Sequence, residues 1–282
     1  MTPQPNSQQE KLPPRVSVAV VSRNRVERLR KCLQSLEQSE GRDTLQIIVV
    51  DNGSTDGSAA LDSEFPNVQF VRLPKDFGLT KAMNLGWRAA DADYVFFLHD
   101  DTEVAPDAIP RLAEVLDADR DVAAVCPLLV DESGNPAPQL GEFPPNGNWM
   151  AAQISGSEPV PVEYPRGAAF MMRVALIKAV RQIDERFGQF GGDADLAAQI
   201  NRAGKKILLL PTVKVVHHGS RGYTTDERAD FLLSRAAFSA KYYGFAAGLK
   251  ARLGAVFGPL FSFKFGELSR TLSGQKIDGT QS

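Results

Sequence analysis

The sequence has very little cysteine, since Cys32 and Cys126 are its only two among 282 residues. Two cysteines so far apart cannot form the disulfide framework of a small secreted protein. They are also too few to build a cysteine-based zinc site. We therefore expect a cytoplasmic protein that folds around an ordinary hydrophobic core.

A surplus of charge is also missing, because 32 basic residues face 34 acidic ones and the formal net charge is -2. A dedicated nucleic-acid-binding protein normally carries a basic surplus, so the composition argues against a nucleic-acid partner. With 43% apolar and 23% charged residues, the chain has the composition of a globular protein. Disordered and low-complexity architectures are thereby excluded for most of its length.

Long hydrophobic runs are absent as well, and no stretch of about 18 uncharged apolar residues predicts a transmembrane helix. Residues 1–14 are polar, include four prolines and lack the apolar core of a signal peptide, so we expect a disordered leader. Residues 241–270 combine many aromatic side chains with five basic residues and a single acid, Glu267. This pattern is typical of peripheral contact with the inner face of a membrane, of packing on the domain, or of a homodimer contact.

The first half of the chain alternates β-branched runs with helix-like segments. The pattern predicts strands over residues 16–21, 45–50, 68–73 and 94–98, and helices over 26–36 and 80–90. Such an alternation indicates right-handed βαβ units and a mostly parallel α/β sheet flanked by helices. Ligands bind beyond the carboxyl ends of the strands in these sheets, so the polar residues there are the first candidates for a site.

The second half is less regular. Residues 131–165 are rich in Pro, Gly, Asn and Ser and predict a long loop of the kind that often contacts substrate. A helix is predicted over residues 193–203, followed by two short strands over 207–210 and 213–216. From Asp230 onward the pattern is helical.

Three clusters could carry chemistry. Asp100 and Asp101 are adjacent carboxylates after a buried strand, which favours a divalent cation, although a solvated turn has the same pattern. Asp193 follows two glycines at a helix start, where it could be a general base or a helix cap. His217 and His218 follow a strand, and only one of them can face a given site, as a metal ligand or as a structural residue.

A set of segments occurs together in the order found in the family 2 glycosyltransferases. They are VSVAVVSRNR, IIVVDNGSTDGS, FGLTKAMNLGWRAA, DYVFFLHDDTEV, RGAAFMMRVALI, IDERFGQFGGDADLAAQINRAGKKILLLP and VVHHGS. Over residues 15–220 the chain resembles this inverting, nucleotide-sugar-dependent family, and SRAAFSAKYYG resembles its bacterial rhamnosyltransferase-like members. The resemblance implies a GT-A type, Rossmann-like fold over residues 15–225 and a C-terminal helical extension over 226–282.

The resemblance also implies a nucleotide-sugar donor, a glycan or lipid-linked acceptor, and Mn²⁺ or Mg²⁺ as cofactor. It assigns Asp193 as the catalytic base and Asp101 and His217 as metal ligands. The residues that it places beside the nucleotide and diphosphate are Ser22, Asn24, Asp51, Lys81, Asn84 and Asp100.

Three positions depart from the family pattern. His99 stands where the family has the first acid of its Asp-x-Asp element, Gly192 replaces the usual Glu before the base, and Arg23 replaces a common aromatic. These departures keep open a second hypothesis, a catalytically degenerate module that binds a nucleotide sugar or carbohydrate. A sugar nucleotidyltransferase is disfavoured because the first strand is not followed by a glycine-rich nucleotide-binding turn.

Overall fold

The fold is described by a computed structural model that covers residues 13–153, 156–219 and 224–277. Residues 1–12 of the predicted leader lie outside the described residues. The strands are β1 (Val16–Ser22), β2 (Leu45–Asp51), β3 (Val68–Arg72), β4 (Tyr94–His99), β5 (Thr102–Val104), β6 (Val122–Val130), β7 (Pro138–Leu140), β8 (Met150–Ala151), β9 (Val160–Pro161), β10 (Ala169–Arg173) and β11 (Lys206–His217). The helices are α1 (Val26–Glu37), α2 (Leu61–Glu64), α3 (Leu79–Arg88), α4 (Ala108–Ala118), α5 (Val174–Ala179), α6 (Gly192–Arg202), α7 (Thr225–Tyr243), α8 (Phe245–Phe261) and α9 (Phe265–Ser273).

One large sheet runs through the molecule in the order β3-β2-β1-β4-β10-β6-β11-β5, and β9 adds to β11. The strands β1 to β4 pair in parallel, as the alternating pattern predicts. Strand β10 is antiparallel to both of its neighbours, β4 and β6, while β6 and β11 are parallel. The sheet is therefore parallel in its first half and mixed in its second, because the long excursion before β10 lets the chain re-enter from the opposite end.

Both faces of the sheet are covered, which explains why its strands are nearly continuous apolar runs. On one face, Phe96 of β4 packs in a core with Leu33 of α1 and Leu112 of α4. On the other face, Phe97 packs in a core with residues of α3, α6 and α7. Adjacent residues of one strand thus enter different cores, as the two-residue period of a strand requires.

One prediction needs correction. Residues 207–210 and 213–216 belong to the single strand β11, which shifts register against β6 between Leu210 and Lys214. Pro211 lies in this interval and has no backbone N–H to donate, so the irregularity interrupts the ladder without ending the strand. The sequence interpretation also gave no bounds for the helix after Pro106, which is α4, and assigned no strand at β6, although β6 is buried along its whole length.

The last helices form a layer of their own. Helix α7 begins with a capping box in which the Thr224 hydroxyl and the Glu227 carboxylate each bind the other residue's backbone N–H. Helices α8 and α9 then pack against α7. Among the described residues, none of the helices is both long and apolar enough to cross a bilayer. The division into a domain of residues 15–225 and an extension of 226–282 stays a prediction.

Candidate active site

The carboxyl ends of β1, β2 and β4 lie side by side. Ser22 is in register with Asp51, and Val21 is in register with His99. The backbone N–H of Asn52 also donates to the carbonyl of Ser22 at 2.9 Å. The polar residues that follow these three strands are therefore gathered on one edge of the sheet, as expected for parallel neighbours.

Asp100 is buried in the turn after β4. Its carboxylate accepts a hydrogen bond of 2.8 Å from the Ser22 hydroxyl, and its other oxygen lies 3.3 Å from Nη1 of Arg25. Burial raises the pKa of Asp100 to about 6, against the opposing effects of Arg25 and Ser22. The carboxylate is thus held on the rim by one hydroxyl and one guanidinium.

Asp101 faces two histidines. Its Oδ1 atom lies 3.4 Å from Nε2 of His217 and 3.8 Å from Nδ1 of His99. Burial alone would raise the pKa of this carboxyl group, but His217, His99 and Arg25 outweigh burial and hold the pKa below its usual value. Asp101 Oδ1 is also buried without a hydrogen-bond donor among the described residues. A buried, ionised oxygen in this state is suited to a cation, because leaving it unpaired is costly.

The ligand atoms of His99, Asp101 and His217 all lie within 4.8 Å of one another. Burial lowers the pKa of His99 to about 4, so its imidazole is neutral and can donate a lone pair to a metal at neutral pH. One carboxylate and two imidazoles suit Mn²⁺ and other first-row divalent ions better than they suit Mg²⁺. His99, which replaces the acid of the family pattern, is therefore a third candidate ligand that the sequence interpretation did not assign.

The structure distinguishes His217 from His218. His217 points to Asp101, whereas both ring nitrogens of His218 are engaged, with Glu103 at 2.6 Å and Glu132 at 2.7 Å. Successive residues of an extended strand point to opposite sides, which explains why only the first of the pair joins the group. Of the two histidines that the sequence offered, His217 is the one placed at the candidate metal centre.

Two arginines that the sequence interpretation did not assign stand beside the carboxylates. Arg25 Nη1 lies 3.3 Å from both Asp100 Oδ1 and Asp101 Oδ2, and Arg28 Nη1 lies 3.3 Å from Asp101 Oδ2. Both side chains remain about half exposed and keep further N–H donors. The sequence pattern that could have indicated these arginines is their spacing of three residues at the start of α1, directly after β1.

Asp51 and Asn24 lie further along the rim. The Asp51 carboxylate accepts hydrogen bonds of 2.9 Å from the Ser54 N–H and from Arg72. Asn24 adopts a positive φ of 51°, and its side-chain carbonyl accepts a bond of 2.7 Å from the Thr55 N–H. The two residues shape the loop after β2 from both sides.

Lys81 and Asn84 lie in the first turns of α3 and differ in exposure. The Lys81 ammonium stands over the Phe77 ring, 4.6 Å from its centroid. Asn84 is fully buried, and its amide binds both the N–H and the carbonyl of Ile183 as well as Trp87 Nε1. In these contacts Asn84 joins α3 to the segment before the 3-10 turn at Glu185–Phe187, and its role toward a donor stays a prediction.

Asp193 is half-buried in the first turn of α6. Its carboxylate accepts hydrogen bonds from the Ala194 N–H at 2.8 Å, from the Gly167 N–H at 3.3 Å and from the Tyr164 hydroxyl at 3.3 Å. Burial raises the pKa of Asp193, and these three donors only partly offset it. The carboxyl group is thus less acidic than an ordinary aspartate, as a general base requires.

A short backbone segment joins the two halves of the site. The His99 N–H donates to the Ala168 carbonyl at 2.9 Å, and the neighbouring Gly167 N–H binds Asp193. The positive charge of Arg166, in the same segment, lowers the pKa of both His99 and Asp193. Residues 166–168 therefore bring the candidate metal group and Asp193 to one side of the molecule.

A cleft of about 900 Å³ opens at this place. Arg166 and His217 line it together with Trp149 and residues 131–133 and 136–138 of the long excursion. The Arg166 guanidinium stacks over the Trp149 ring, 5.5 Å from its centroid. The excursion expected to contact substrate thus forms a wall of the cleft, and Arg166 offers a cation there.

The departure at Gly192 has a steric reason. A Cβ atom at this position would lie 2.7 Å from Thr80 Oγ1 and 3.3 Å from a methyl carbon of Ile183. Thr80 fills the space that a longer residue would need, because α3 and α6 approach closely here. The departure at Arg23 is also accommodated, since its guanidinium pairs with Asp76 at 2.7 Å.

Comparison with known proteins agrees with this architecture. The N-acetylglucosaminyl-diphospho-decaprenol L-rhamnosyltransferase of Mycobacterium tuberculosis is 28% identical over 221 residues, which make up 67% of this chain and 71% of that protein. The O-antigen biosynthesis protein RfbC of Myxococcus xanthus is 25% identical over 251 residues, 80% of this chain and 19% of that one.

Solved structures show the same fold at low sequence identity. GalNAc-T7 with UDP, GalNAc and Mn²⁺ has a TM-score of 0.70 at 17% identity over 94% of this chain, which spans 57% of that chain. The mannosyltransferase PcManGT of Pyrobaculum calidifontis with GDP-Man and Mn²⁺ has a TM-score of 0.59 at 20% identity, covering 93% of this chain and 74% of that one. Both are glycosyltransferases with the GT-A type fold, which confirms the fold expected for this chain.

The family pattern described as glycosyl transferase family 2 matches residues 17–179, more than half of the chain. These residues contain β1 to β4, the two adjacent acids and the segment that binds Asp193. The chain therefore belongs to glycosyl transferase family 2 and is a glycosyltransferase.

Proposed function

We propose that this enzyme transfers a sugar from a nucleoside-diphosphate sugar to a hydroxyl of a glycan or lipid-linked acceptor, with inversion at the anomeric carbon. The observation that carries the proposal is that one short backbone segment, which also contributes Arg166 to the cleft, contacts two acidic groups. The Ala168 carbonyl accepts a hydrogen bond from the N–H of His99, in the group around Asp101, and the Gly167 N–H donates to the carboxylate of Asp193. Residues 166–168 therefore join the two groups.

The donor would lie along the rim formed by β1, β2 and β4. Asp51 and Asn24 are suited to the nucleoside, and Ser22 and Asp100 stand between them and the cleft. Lys81 and Asn84 complete the predicted donor set on α3. Arg25 and Arg28 have spare N–H donors, and planar guanidinium groups bind phosphate oxygens well.

The cofactor fits the residues present. Mn²⁺ or Mg²⁺ would be held by Asp101 and His217, with His99 as a further ligand, and when bound it neutralises the charge that develops on the departing diphosphate. The fit is supported by the buried Oδ1 of Asp101 that lacks a hydrogen-bond donor among the described residues.

Asp193 would act as the general base. Its carboxylate takes the proton of the acceptor hydroxyl while that oxygen forms the new bond to the anomeric carbon. The bond between this carbon and the diphosphate oxygen breaks, and its electron pair leaves with the nucleoside diphosphate. A single displacement needs one base and inverts the centre, and Asp193 would supply that base.

The acceptor class follows from the relatives rather than from the cleft. The mycobacterial relative is named for transfer of L-rhamnose to a diphospho-decaprenol-linked sugar, and RfbC is named for O-antigen biosynthesis. We place this enzyme in the same kind of cell-envelope glycan synthesis, acting in the cytoplasm at the inner face of the membrane.

Transfer assays on Asp193→Asn test the proposal. A panel of nucleotide sugars with Mn²⁺ is first ranked by thermal shift, since a bound ligand stabilises the fold in proportion to the logarithm of its occupancy. With the best donor, we expect Asp193→Asn to keep the shift and to lose transfer by at least about 100-fold. The control is Asp121→Asn, which changes an exposed carboxylate that pairs with Lys205 at 2.7 Å. Unchanged turnover in Asp193→Asn would reject the assignment.

A further inference from the structure

Helix α8 is buried on one side only. Its buried residues are Gly248, Ala255 and Pro259, which face α7 and α9. At Gly248 an added Cβ would lie 2.5 Å from Ala240 Cβ, so α7 and α8 approach to backbone contact. The side chains on the opposite face of α8 cannot reach this interface.

The exposed face of α8 carries large apolar residues. At 100° per residue, the members of this face occupy about a third of the helix circumference, opposite Gly248. Their exposed fractions lie between 40% and 77%, and they are Leu249, Leu253, Phe257, Leu260 and Phe261. A contiguous exposed apolar stripe of this kind marks an interaction surface rather than ordinary surface scatter.

The turn after α8 extends this stripe. Phe263 and Phe265 are 80% and 63% exposed, and their rings contact each other at 6.4 Å between centroids. Phe263 has a φ of 56°, a left-handed conformation that is uncommon for a bulky side chain. We call the five residues of the stripe together with Phe263 and Phe265 the aromatic face.

The charge around the aromatic face is mostly positive, and the acid at its edge, Glu267, lies 3.6 Å from Lys264 Nζ. Residues 231–266 contain no Asp or Glu, and they contain five basic residues, Arg235, Lys241, Lys250, Arg252 and Lys264. Lys250 and Lys264 are exposed, and Lys250 lies on the same side of α8 as Phe257. A second copy of the chain would bring the same positive charges to the contact, whereas anionic lipid headgroups would neutralise them.

We propose that the aromatic face docks onto the surface of an anionic lipid bilayer. Helix α8 would lie in the plane of the membrane with its rings at the boundary between headgroups and acyl chains, and Lys250 and Lys264 would contact lipid phosphates. The seventeen residues of α8 span about 25 Å, which is a broad contact for an interfacial helix.

Docking would also position the catalytic cleft. Lys241 of α7 pairs with Asp195 of α6 at 2.7 Å, and Ser234 of α7 donates to the Phe187 carbonyl at 3.1 Å. The layer that carries the aromatic face is therefore fixed to the helix that carries Asp193. The inference goes beyond sugar transfer and its test does not depend on it.

Co-sedimentation of the full chain with vesicles tests the proposal. One set contains phosphatidylcholine alone, and the other contains about 30% phosphatidylglycerol as the anionic lipid. We expect binding to the anionic vesicles that weakens as salt is raised, because counter-ions screen the basic residues. Absence of binding to the anionic vesicles at low salt would overturn the proposal.

Variants separate the apolar contribution from the charge. The triple change Phe261→Ser, Phe263→Ser, Phe265→Ser should lower the partition coefficient by about tenfold or more. The double change Lys250→Glu, Lys264→Glu should abolish the preference for anionic vesicles. Met150→Ser, which removes an apolar side chain 51% exposed outside the aromatic face, is the matched control and should bind as the parent.

Two measurements distinguish membrane docking from unfolding of the variant and from self-association. Circular dichroism melts should show that the triple variant stays folded with its helices intact, since its three changes are at exposed positions. Light scattering without vesicles should show a monomer. Two results together would overturn membrane docking in favour of a homodimer contact. The parent would be a dimer that the change Phe257→Ser dissociates, and the triple variant would bind vesicles as the parent does.

Discussion

His217 Nε2 lies 3.4 Å from Asp101 Oδ1, although the two residues are 116 positions apart in the chain. The contact forms because β11 pairs with β5, which follows Asp101 directly, and His217 is in register with Thr102. A histidine at the end of the last strand is thereby brought to the acidic turn after β4. The pair is the centre of the candidate metal group.

Removal of His217 should abolish the response to metal. In the chelator-treated parent, added Mn²⁺ should raise the melting temperature, because binding to the native state alone stabilises it. His217→Ala removes one of three ligands and should lose this shift, whereas His218→Ala, whose ring binds Glu103 and Glu132, should retain it. Equal shifts in the two variants would show that His217 does not bind the ion.

The transfer rate should fall with decreasing pH, and the apparent pKa of this fall should lie above the pKa of an ordinary aspartate. Burial raises the pKa of Asp193, so the carboxylate is protonated, and inactive as a base, at a pH where an exposed aspartate is still ionised. The Tyr164 hydroxyl binds the ionised form and lowers this pKa, so Tyr164→Phe should move the acid limb of kcat/KM to higher pH.

Tyr94→Phe is the matched control for the pH profile. It removes a tyrosine hydroxyl that binds Asp117 at 2.5 Å, away from the cleft. Its acid limb should coincide with that of the parent. A shift to lower pH in Tyr164→Phe would contradict the assigned effect of this hydrogen bond.

Gly192 should tolerate no side chain while Thr80 is present. Gly192→Ala places a Cβ atom 2.7 Å from Thr80 Oγ1, and we expect a loss of about 1–3 kcal/mol in the free energy of unfolding. Thr80→Ala vacates this space, so the double variant should be more stable than the sum of the single changes predicts. Urea unfolding of the four proteins measures the coupling, and strict additivity would show that the two residues do not compete for space.

Asp195 should be more important to stability than its surface counterparts. Its fully buried carboxylate accepts hydrogen bonds from Lys241 at 2.7 Å and from the Tyr242 hydroxyl at 2.6 Å, which join α6 to α7. Asp195→Ala should lower the free energy of unfolding by about 2 kcal/mol, because the two donors lose the buried carboxylate that they share, although Lys241 keeps its contact of 3.0 Å with Asp184. The exposed pair of Lys205 and Asp121 is the comparison, and Asp121→Ala should cost less than about 1 kcal/mol. Similar losses in both variants would refute the special role of Asp195.

The sequence by itself determined the first half of the fold. The continuous apolar runs around Val18, Ile48 and Phe96 are long enough and regular enough to predict buried strands, and the polar residues after them lie together because parallel neighbours share an edge. It also indicated the family, because the order of several short segments carries more information than any one of them. Asp101, Asp193 and His217 became candidate site residues in this way.

Only the tertiary structure decided how the second half completes the site. The antiparallel course of β10, which depends on pairing between residues far apart in sequence, places Ala168 against His99 and Gly167 against Asp193. His99 becomes a candidate ligand, and Arg25 a partner of both acids, through contacts that no local pattern encodes. Local propensity acts over a few residues, whereas these contacts arise from packing across the whole sheet, and so the chemistry of the cleft is a property of the folded chain.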